Sequence, residues 1–143
     1  KYDISTCLGV ISIFDNFEKP LKNLIKITKP GGKIFLQFLI NDFPIDVNIK
    51  YSKSKNWING NPKYLESGWN IISKDTLIKF LKKCKEIDNF KIYDIKYTYN
   101  QKKNINDPMR SWTVMINGKK KIINGLNLLI PEKIIEISLK DLN

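Results

Sequence analysis

Few residues of this sequence could do chemistry, because the chain of 143 residues contains no histidine. A His-based catalytic triad and the HExxH and Cys2His2 zinc sites are therefore excluded in this chain, and we expect no metal site. Proton transfer would need a carboxylate, a tyrosinate, a lysine or water. Asp42 is the carboxylate of most interest, because it closely follows the apolar run at 33–40. The alternative interpretation of Asp42 is an Asx turn that ends a strand.

The basic residues could instead bind anions. The single arginine, Arg110, has a planar guanidinium suited to a phosphate or carboxylate, and the alternative is an ordinary surface pair with Asp107. The formal net charge of +11 and the lysines at 79–85 and 119–121 would fit nucleic acid. The sequence is nevertheless biased as a whole, with 24 lysines, 24 isoleucines and 16 asparagines. The positive charge is therefore equally explained by composition.

Two apolar runs, 4–11 and 33–40, must position these residues. Both are short and nearly continuous, which is typical of strands buried on both faces. Apolar residues recur at three- and four-residue steps from Phe17 to Lys29 and predict an amphipathic helix. Pro30-Gly31-Gly32 is expected to end that helix. This order of strand, helix and strand predicts a right-handed parallel crossover.

A long excursion without periodicity follows at 41–72. Long excursions in compact domains are usually functional or mobile. Its isolated aromatic residues could form a lid over a ligand, or could simply pin the loop to the domain. These residues are Tyr51, Trp57, Tyr64 and Trp69.

The second half of the chain is again regular. Ser73 is expected to cap a helix that leads into a strand at 90–99. A polar loop then ends at Pro108. Asn117-Gly118 predicts the turn of a hairpin in a C-terminal β extension at 111–140, whose last strand covers 134–139.

The cysteines and the hydropathy point to a compartment. Cys7 and Cys84 lie far apart in apolar surroundings and are interpreted as buried thiols. No stretch has the roughly 18 apolar residues of a membrane span, and no signal-peptide pattern is visible. We therefore expect a reducing, cytoplasmic location.

Several of these features together resemble the second half of class I S-adenosylmethionine-dependent methyltransferases. In that family the fourth strand begins with Phe/Tyr-Asp, as at Tyr2-Asp3, and ends near a Gly-Val-Leu loop, as at Gly9-Val10-Ile11. A helix then leads to Lys-Pro-Gly-Gly and the fifth strand, as at residues 29–40. The helix and strand at 73–99 resemble the family's sixth strand and the helix that precedes it. The hairpin strand near Trp112 resembles the antiparallel seventh.

The resemblance implies an α/β, Rossmann-like fold with a parallel sheet and an antiparallel last strand. It also implies that residues 1–143 are the C-terminal part of a single methyltransferase domain. The family's glycine-rich first loop and the acidic residue after its second strand have no counterpart in this sequence. The expected partner is therefore the N-terminal half of the same protein, and a homodimer remains open.

By the same resemblance, the loop after the fourth strand would line the methionine end of S-adenosylmethionine. The residues expected to bind the cofactor there are Cys7, Leu8, Gly9, Val10 and Ile13. The polar residues after the fifth strand, Asn41 and Asp42, would lie near the transferred methyl, with Asp42 as proton acceptor. The remaining candidates for binding the substrate are Tyr51, Trp69 and Arg110.

The expected acceptor is a small molecule. A sugar or nucleotide sugar is the specific expectation, from a similarity of residues 117–140 to bacterial polysaccharide-locus methyltransferases. Two alternatives stay open: an RNA methyltransferase, and a non-catalytic interaction module that keeps the methyltransferase fold. The lysines would favour the first alternative. The missing first motif would favour the second if no upstream half exists.

Overall fold

The first two strands form the predicted parallel pair. The computed structural model describes residues 1–57, 60–107 and 109–141. Strand β1 (Tyr2–Leu8) leads through a short 3-10 helix (Ile11–Ile13) and helix α1 (Glu18–Ile27) to strand β2 (Thr28–Asn41). β1 and β2 pair in parallel register, from Ile4 opposite Lys33 to Leu8 opposite Gln37. The prediction of adjacent parallel strands joined by a helix is confirmed.

The Pro-Gly-Gly segment has a different role from the one predicted. Helix α1 already ends at Ile27, and the segment lies inside β2 rather than in a turn before it. Its register against β1 jumps, with Tyr2 opposite Thr28 but Ile4 opposite Lys33, so the segment is a β-bulge. Glycine and proline favour bulges as well as turns, and the sequence pattern does not distinguish the two.

The last strand of the chain lies in the middle of the sheet. The strand order is β1-β2-β9-β6, where β6 is Ile87–Asp94 and β9 is Glu132–Leu139. β9 is antiparallel to both of its neighbours, so β6 is parallel to β1 and β2. A strand at 134–139 is confirmed, and the strand predicted at 90–99 starts and ends earlier.

The expectation that the hairpin strand near Trp112 is the antiparallel strand of the sheet is wrong. Strand β7 (Trp112–Ile116) pairs with strand β8 (Lys119–Ile123) in a separate two-stranded sheet. β9 has the full alternation of a half-buried strand, with Ile135 and Ile137 completely buried, whereas β7 is half-buried or exposed throughout. The predicted turn at Asn117-Gly118 is confirmed, since both residues have positive φ.

Both helices pack on the same face of the sheet. Helix α2 (Lys74–Lys83) is capped as predicted, because the Ser73 hydroxyl accepts a hydrogen bond from the Thr76 N–H at 3.1 Å. Phe17, just before α1, makes an edge contact with Phe80 of α2, with ring centroids 5.4 Å apart. In the main core the helices pack on buried residues of three strands. Helix α2 contributes Leu77 and Leu81. The strand residues are Ile34, Leu36, Phe38, Ile40, Ile87, Ile135, Ile137 and Leu139.

The opposite face of the sheet is largely open near β1. Tyr2, Ile4 and Leu8 are between 57% and 64% exposed, and β1 is the edge strand. Toward the carboxyl end of β2 this face is covered by a second apolar cluster of Leu39, Ile71, Ile122 and Ile130. The sheet therefore has helices on one face and only partial cover on the other among the described residues.

The stretch at 41–72 contains three two-residue strands. Strand β3 (Lys50–Tyr51) pairs with β4 (Glu66–Ser67), and β5 (Ile72–Ser73) pairs in parallel with the end of β2. Residues 58 and 59 of this stretch, and the loop end predicted at Pro108, lie outside the described residues. In the described part of the chain, no helix is long and apolar enough to cross a membrane.

Candidate functional site at the carboxyl ends of the strands

Gly9 turns the chain away from the sheet directly after β1. Its φ is +70°, a conformation that residues with a side chain rarely adopt. Its N–H donates to the Gln37 carbonyl at 3.3 Å. The nearest atom to a Cβ added at Gly9 would be the Gln37 Oε1 at 3.9 Å. Backbone conformation, and not crowding by this chain, is therefore what requires glycine here.

An exposed apolar patch surrounds this turn. Leu8, Val10 and Ile13 are each about half exposed, between 45% and 57%. These are three of the residues predicted to bind a cofactor, and the structure brings them together at the carboxyl end of a parallel strand. Ligands of open α/β sheets bind in this location. Exposed apolar clusters of this kind often mark binding surfaces.

Cys7 is placed differently from its neighbours. It pairs with Leu36 and packs against the main core under the helices, while Leu8 points to the open face. The two cysteines, predicted to be buried, are only half-buried. This partial burial raises the pKa of the Cys7 thiol and of the Cys84 thiol. The Cys7 side chain is therefore separated by the sheet from the Leu8 side chain.

Trp69 lies beside Gly9. Together with Gln37, Leu39 and Glu132, the two residues line a cavity of about 30 Å³. This volume corresponds to roughly one water molecule. Trp69 has a φ of +61° and packs on the second apolar cluster. Sequence reasoning singled out Gly9 and Trp69 but missed Gln37, whose signal is a polar residue in an otherwise apolar strand.

Asn41 and Asp42 diverge at the end of β2. The Asn41 side chain forms an Asx turn, in which its Oδ1 accepts from the Phe43 N–H at 3.1 Å and its Nδ2 donates to the Ile45 carbonyl at 3.0 Å. The Asp42 carboxylate instead accepts a hydrogen bond from the Lys133 Nζ at 3.1 Å. Asp42 lines a different cavity from Gly9, and Glu132 lines both.

Lys133 holds two carboxylates. Its side chain is only 9% exposed, and its ammonium also pairs with Asp94 at the end of β6. Burial alone would lower the pKa of Lys133, but the two carboxylates outweigh burial and raise it. The ammonium in turn lowers the pKa of Asp94. Sequence reasoning missed Lys133, although it shares the alternation of the buried residues Ile135 and Ile137.

A cleft of about 560 Å³ opens over this ion pair. It is formed by the end of β6, the hairpin strand β8 and the start of β9. In the wall of the cleft, the Tyr97 hydroxyl donates to the Glu132 Oε2 at 2.8 Å. Burial is the main cause that raises the pKa of Tyr97, and the Glu132 carboxylate raises it further. The ionisable residues that line the cleft are Asp42, Asp94, Glu132, Tyr97, Lys96, Lys119, Lys120, Lys121 and Lys133.

The remaining predicted binding residues lie apart from these two cavities. The Tyr51 hydroxyl donates to the Glu66 Oε2 at 3.1 Å across the β3–β4 pair. Arg110 is exposed, and its backbone N–H donates to the Asp107 carbonyl at 3.0 Å. Among the described residues, neither lines either cavity, and no group of three or more acidic or cysteine side chains is arranged to hold a metal.

Comparison with known proteins finds likenesses among solved structures alone. No protein-family model matches the chain, and no curated protein matches it. A solved structure with a similar arrangement is a SAM-dependent methyltransferase from Thermotoga maritima, described as a possible histamine N-methyltransferase. The identity is 15% and the TM-score 0.45, over 95% of this chain and 55% of the other. This chain thus spans about half of that structure, and a likeness this distant carries no functional argument.

Proposed function

We propose that this chain is the C-terminal part of a class I S-adenosylmethionine-dependent methyltransferase acting on a small molecule. The proposal rests on the resemblance in residues 2–40 and on one observation, the sheet of parallel β1, β2 and β6 with an antiparallel last strand β9. That observation agrees with the fold that the resemblance implies. The hairpin of β7 and β8, which we expected to supply the antiparallel strand, gives the proposal no support.

The proposed partner is an N-terminal half of the same protein. Its support is the edge strand β1, whose residues Tyr2, Ile4 and Leu8 expose apolar side chains on the open face. Parallel strands are usually covered on both faces. An upstream half would supply that cover, together with the glycine-rich loop that this sequence lacks.

The residues around Gly9 fit the methionine end of S-adenosylmethionine. The cofactor supplies an activated methyl group, so the protein needs mainly to orient the reactants and exclude water. Gly9 allows a ligand to approach the backbone closely. Leu8, Val10 and Ile13 offer an apolar surface against which the methylene groups of the methionine chain can pack, while Cys7 contributes through its backbone only.

The proposed acceptor binds next to the ends of β2 and β6, with Asp42 as its proton acceptor. Methyl transfer to a hydroxyl releases one proton, and Asp42 is a carboxylate that lines the large cleft. To act as a base, Asp42 must exchange its contact with Lys133 for one with the acceptor. Asn41, Tyr51, Trp69 and Arg110 remain predicted contacts of the acceptor, although Tyr51 and Arg110 line neither cavity in the described part of the chain. A sugar or nucleotide sugar is the specific proposal.

Binding of S-adenosylhomocysteine to the full-length protein tests the proposal. We expect the Gly9→Ala variant to bind it about 5- to 30-fold more weakly than wild type in calorimetry, because an alanine at a φ of +70° is strained by about 1–2 kcal/mol and the turn must shift. The matched control is Gly118→Ala, which carries the same strain at φ +71° in the hairpin turn. That variant should bind normally.

Two outcomes would contradict the proposal. If the full-length protein does not bind S-adenosylhomocysteine at all, the chain is better explained as a non-catalytic interaction module. If both glycine variants bind equally well, the ligand does not contact Gly9. We also expect the isolated 143-residue chain to bind only weakly, because the proposed adenosine side of the site lies in the upstream half.

A further inference from the structure

The cleft over Lys133 is large enough for a small organic ligand. Its volume of about 560 Å³ lies within the range of typical ligand pockets, which is roughly 300–1,000 Å³. Its floor is formed where β2 and β6 end and β9 begins. It therefore lies at the edge of the sheet where ligands of open α/β folds bind.

The charges of the cleft are unevenly distributed. Each of its three carboxylates already has a partner on the protein: Asp42 and Asp94 contact Lys133, and Glu132 accepts from Tyr97. Three of the lysines that line it, Lys96, Lys119 and Lys121, are exposed, and their ammonium groups make no hydrogen bond or ion pair with any described residue. Lys120 donates to the Thr98 carbonyl at 2.8 Å. The cleft is thus lined by three lysines whose ammonium groups have no partner among the described residues.

These ammonium groups suit a diphosphate better than a monophosphate. A phosphate monoester carries a charge of about −1.5 to −2 near neutral pH. One such group would leave part of the charge of the three lysines uncompensated. Lysine binds phosphate as a point charge and needs no fixed geometry, in keeping with side chains that are exposed and unpaired.

A nucleic-acid strand fits the cleft less well. Single-strand binding sites combine a basic groove with a series of aromatic platforms on which successive bases stack. In the described part of this cleft, Tyr97 is the one aromatic residue, and its hydroxyl is held by Glu132. The arrangement therefore favours a compact anion over a polymer.

We propose that the cleft formed by the end of β6, β8 and the start of β9 binds the diphosphate of a small-molecule ligand through Lys96, Lys119 and Lys121. Since Asp42 lines the same cleft, this ligand is the acceptor of the proposed methyl transfer. The assignment as acceptor rests on the proposed function. The binding of the diphosphate does not.

Calorimetric titration of the full-length protein with uridine 5′-diphosphate, in the absence of a methyl donor, tests the cleft. The informative variant is Lys119→Gln/Lys121→Gln, which removes two of the three unpaired lysines. We expect its affinity to fall at least tenfold, because two charge-assisted contacts with the diphosphate are lost. The matched control is Lys19→Gln/Lys82→Gln, which removes the same charge from exposed positions on the two helices. This control should bind like wild type.

The inference is overturned if wild type does not bind the diphosphate, or if both double variants lose affinity equally. It is also overturned if a single-stranded RNA oligonucleotide binds with a steep salt dependence and uridine 5′-diphosphate does not displace it. The result is separable from the test of the methyltransferase. Diphosphate binding that depends on Lys119 and Lys121 would stand even if the full-length protein fails to bind S-adenosylhomocysteine.

Discussion

Lys133 and Asp42 are joined by an ion pair of 3.1 Å that connects the start of β9 to the end of β2. The two partners differ in environment, because the Lys133 side chain is nearly buried while the Asp42 carboxylate is mostly exposed. Lys133 also pairs with a second carboxylate, Asp94, which would still hold it if Asp42 moved away. The lysine therefore remains paired in a state where Asp42 has turned toward a ligand.

This arrangement makes the role of Asp42 testable by comparison with Asp94. In the proposed methyl transfer by the full-length protein, Asp42→Asn should lower kcat by roughly 10²- to 10⁴-fold, as expected for the loss of a general base. Its affinity for S-adenosylmethionine should be nearly unchanged. The measurement is the steady-state release of S-adenosylhomocysteine.

The control is Asp94→Asn, which removes the other carboxylate from the same ammonium group. It should lower kcat less than about tenfold, because Asp94 has no assigned role in proton transfer. Equal losses of kcat in the two variants would mean that Asp42 acts only by holding Lys133. A normal kcat in Asp42→Asn would remove Asp42 from the mechanism altogether.

Asp46 should make the stability of the protein depend on acid. Burial opposes ionisation of Asp46, but hydrogen bonds from the Ser73 N–H at 2.5 Å and the Thr76 hydroxyl at 2.9 Å outweigh burial and lower its pKa. A carboxyl group with a lowered pKa stabilises the fold above its unfolded pKa of about 3.9. This contribution is lost as the pH falls through the pKa of the folded state.

We therefore expect Asp46→Asn to unfold about 1 kcal/mol more easily than wild type at pH 7, since Asp46 supports the start of α2. The difference should shrink as the pH falls below about 4. Urea unfolding at several pH values measures it. The control is Asp88→Asn, an exposed residue whose change should alter stability by no more than about 0.5 kcal/mol. If the difference in unfolding free energy between Asp46→Asn and wild type stays constant with pH, the lowered pKa of Asp46 does not stabilise the fold.

Gly32 should tolerate no side chain, because the bulge packs closely against β1. A Cβ at Gly32 would lie 2.8 Å from the carbonyl oxygens of Asp3 and Lys29. Both contacts are to backbone, so the strands must shift apart. We expect Gly32→Ala to cost about 1–3 kcal/mol of unfolding free energy, measured by thermal or urea unfolding.

Gly68 is the matched control for this substitution. A Cβ at Gly68 would meet Tyr51 at 3.7 Å, an ordinary contact, so Gly68→Ala should be neutral or slightly stabilising. If Gly32→Ala is as stable as Gly68→Ala, the close approach of β1 to the bulge does not constrain the sequence.

Local patterns predicted the elements but not all of their partners. The continuous apolar character of 4–11 and 33–40 predicted β1 and β2, and the Ser73 cap predicted the start of α2. The pairing of β9 with β2 could not be predicted in this way, because it joins residues about 100 positions apart, such as Lys33 and Ser138. Sequence spacing contains no information on which of two similar strands enters the sheet.

The candidate site was predicted unevenly for the same reason. The turn at Gly9 depends on its own backbone conformation, so a local pattern could find it. The contact of Lys133 with Asp42 and Asp94 depends on three strands meeting at one edge. Cys7 and Leu8 were grouped because they are adjacent, yet alternate residues of a strand point to opposite faces.

The central position of β9 determines the order in which the chain can fold. During synthesis β1, α1 and β2 can associate as soon as they leave the ribosome, because they are close in sequence. β6 also emerges early, but it has no neighbour in the sheet until residues 132–139 follow. The completely buried Ile135 and Ile137 then close the main core between both halves of the sheet. Folding therefore depends on contacts of long sequence separation, which makes it intrinsically slow, and a premature stop before β9 would leave both β2 and β6 with an unpaired edge.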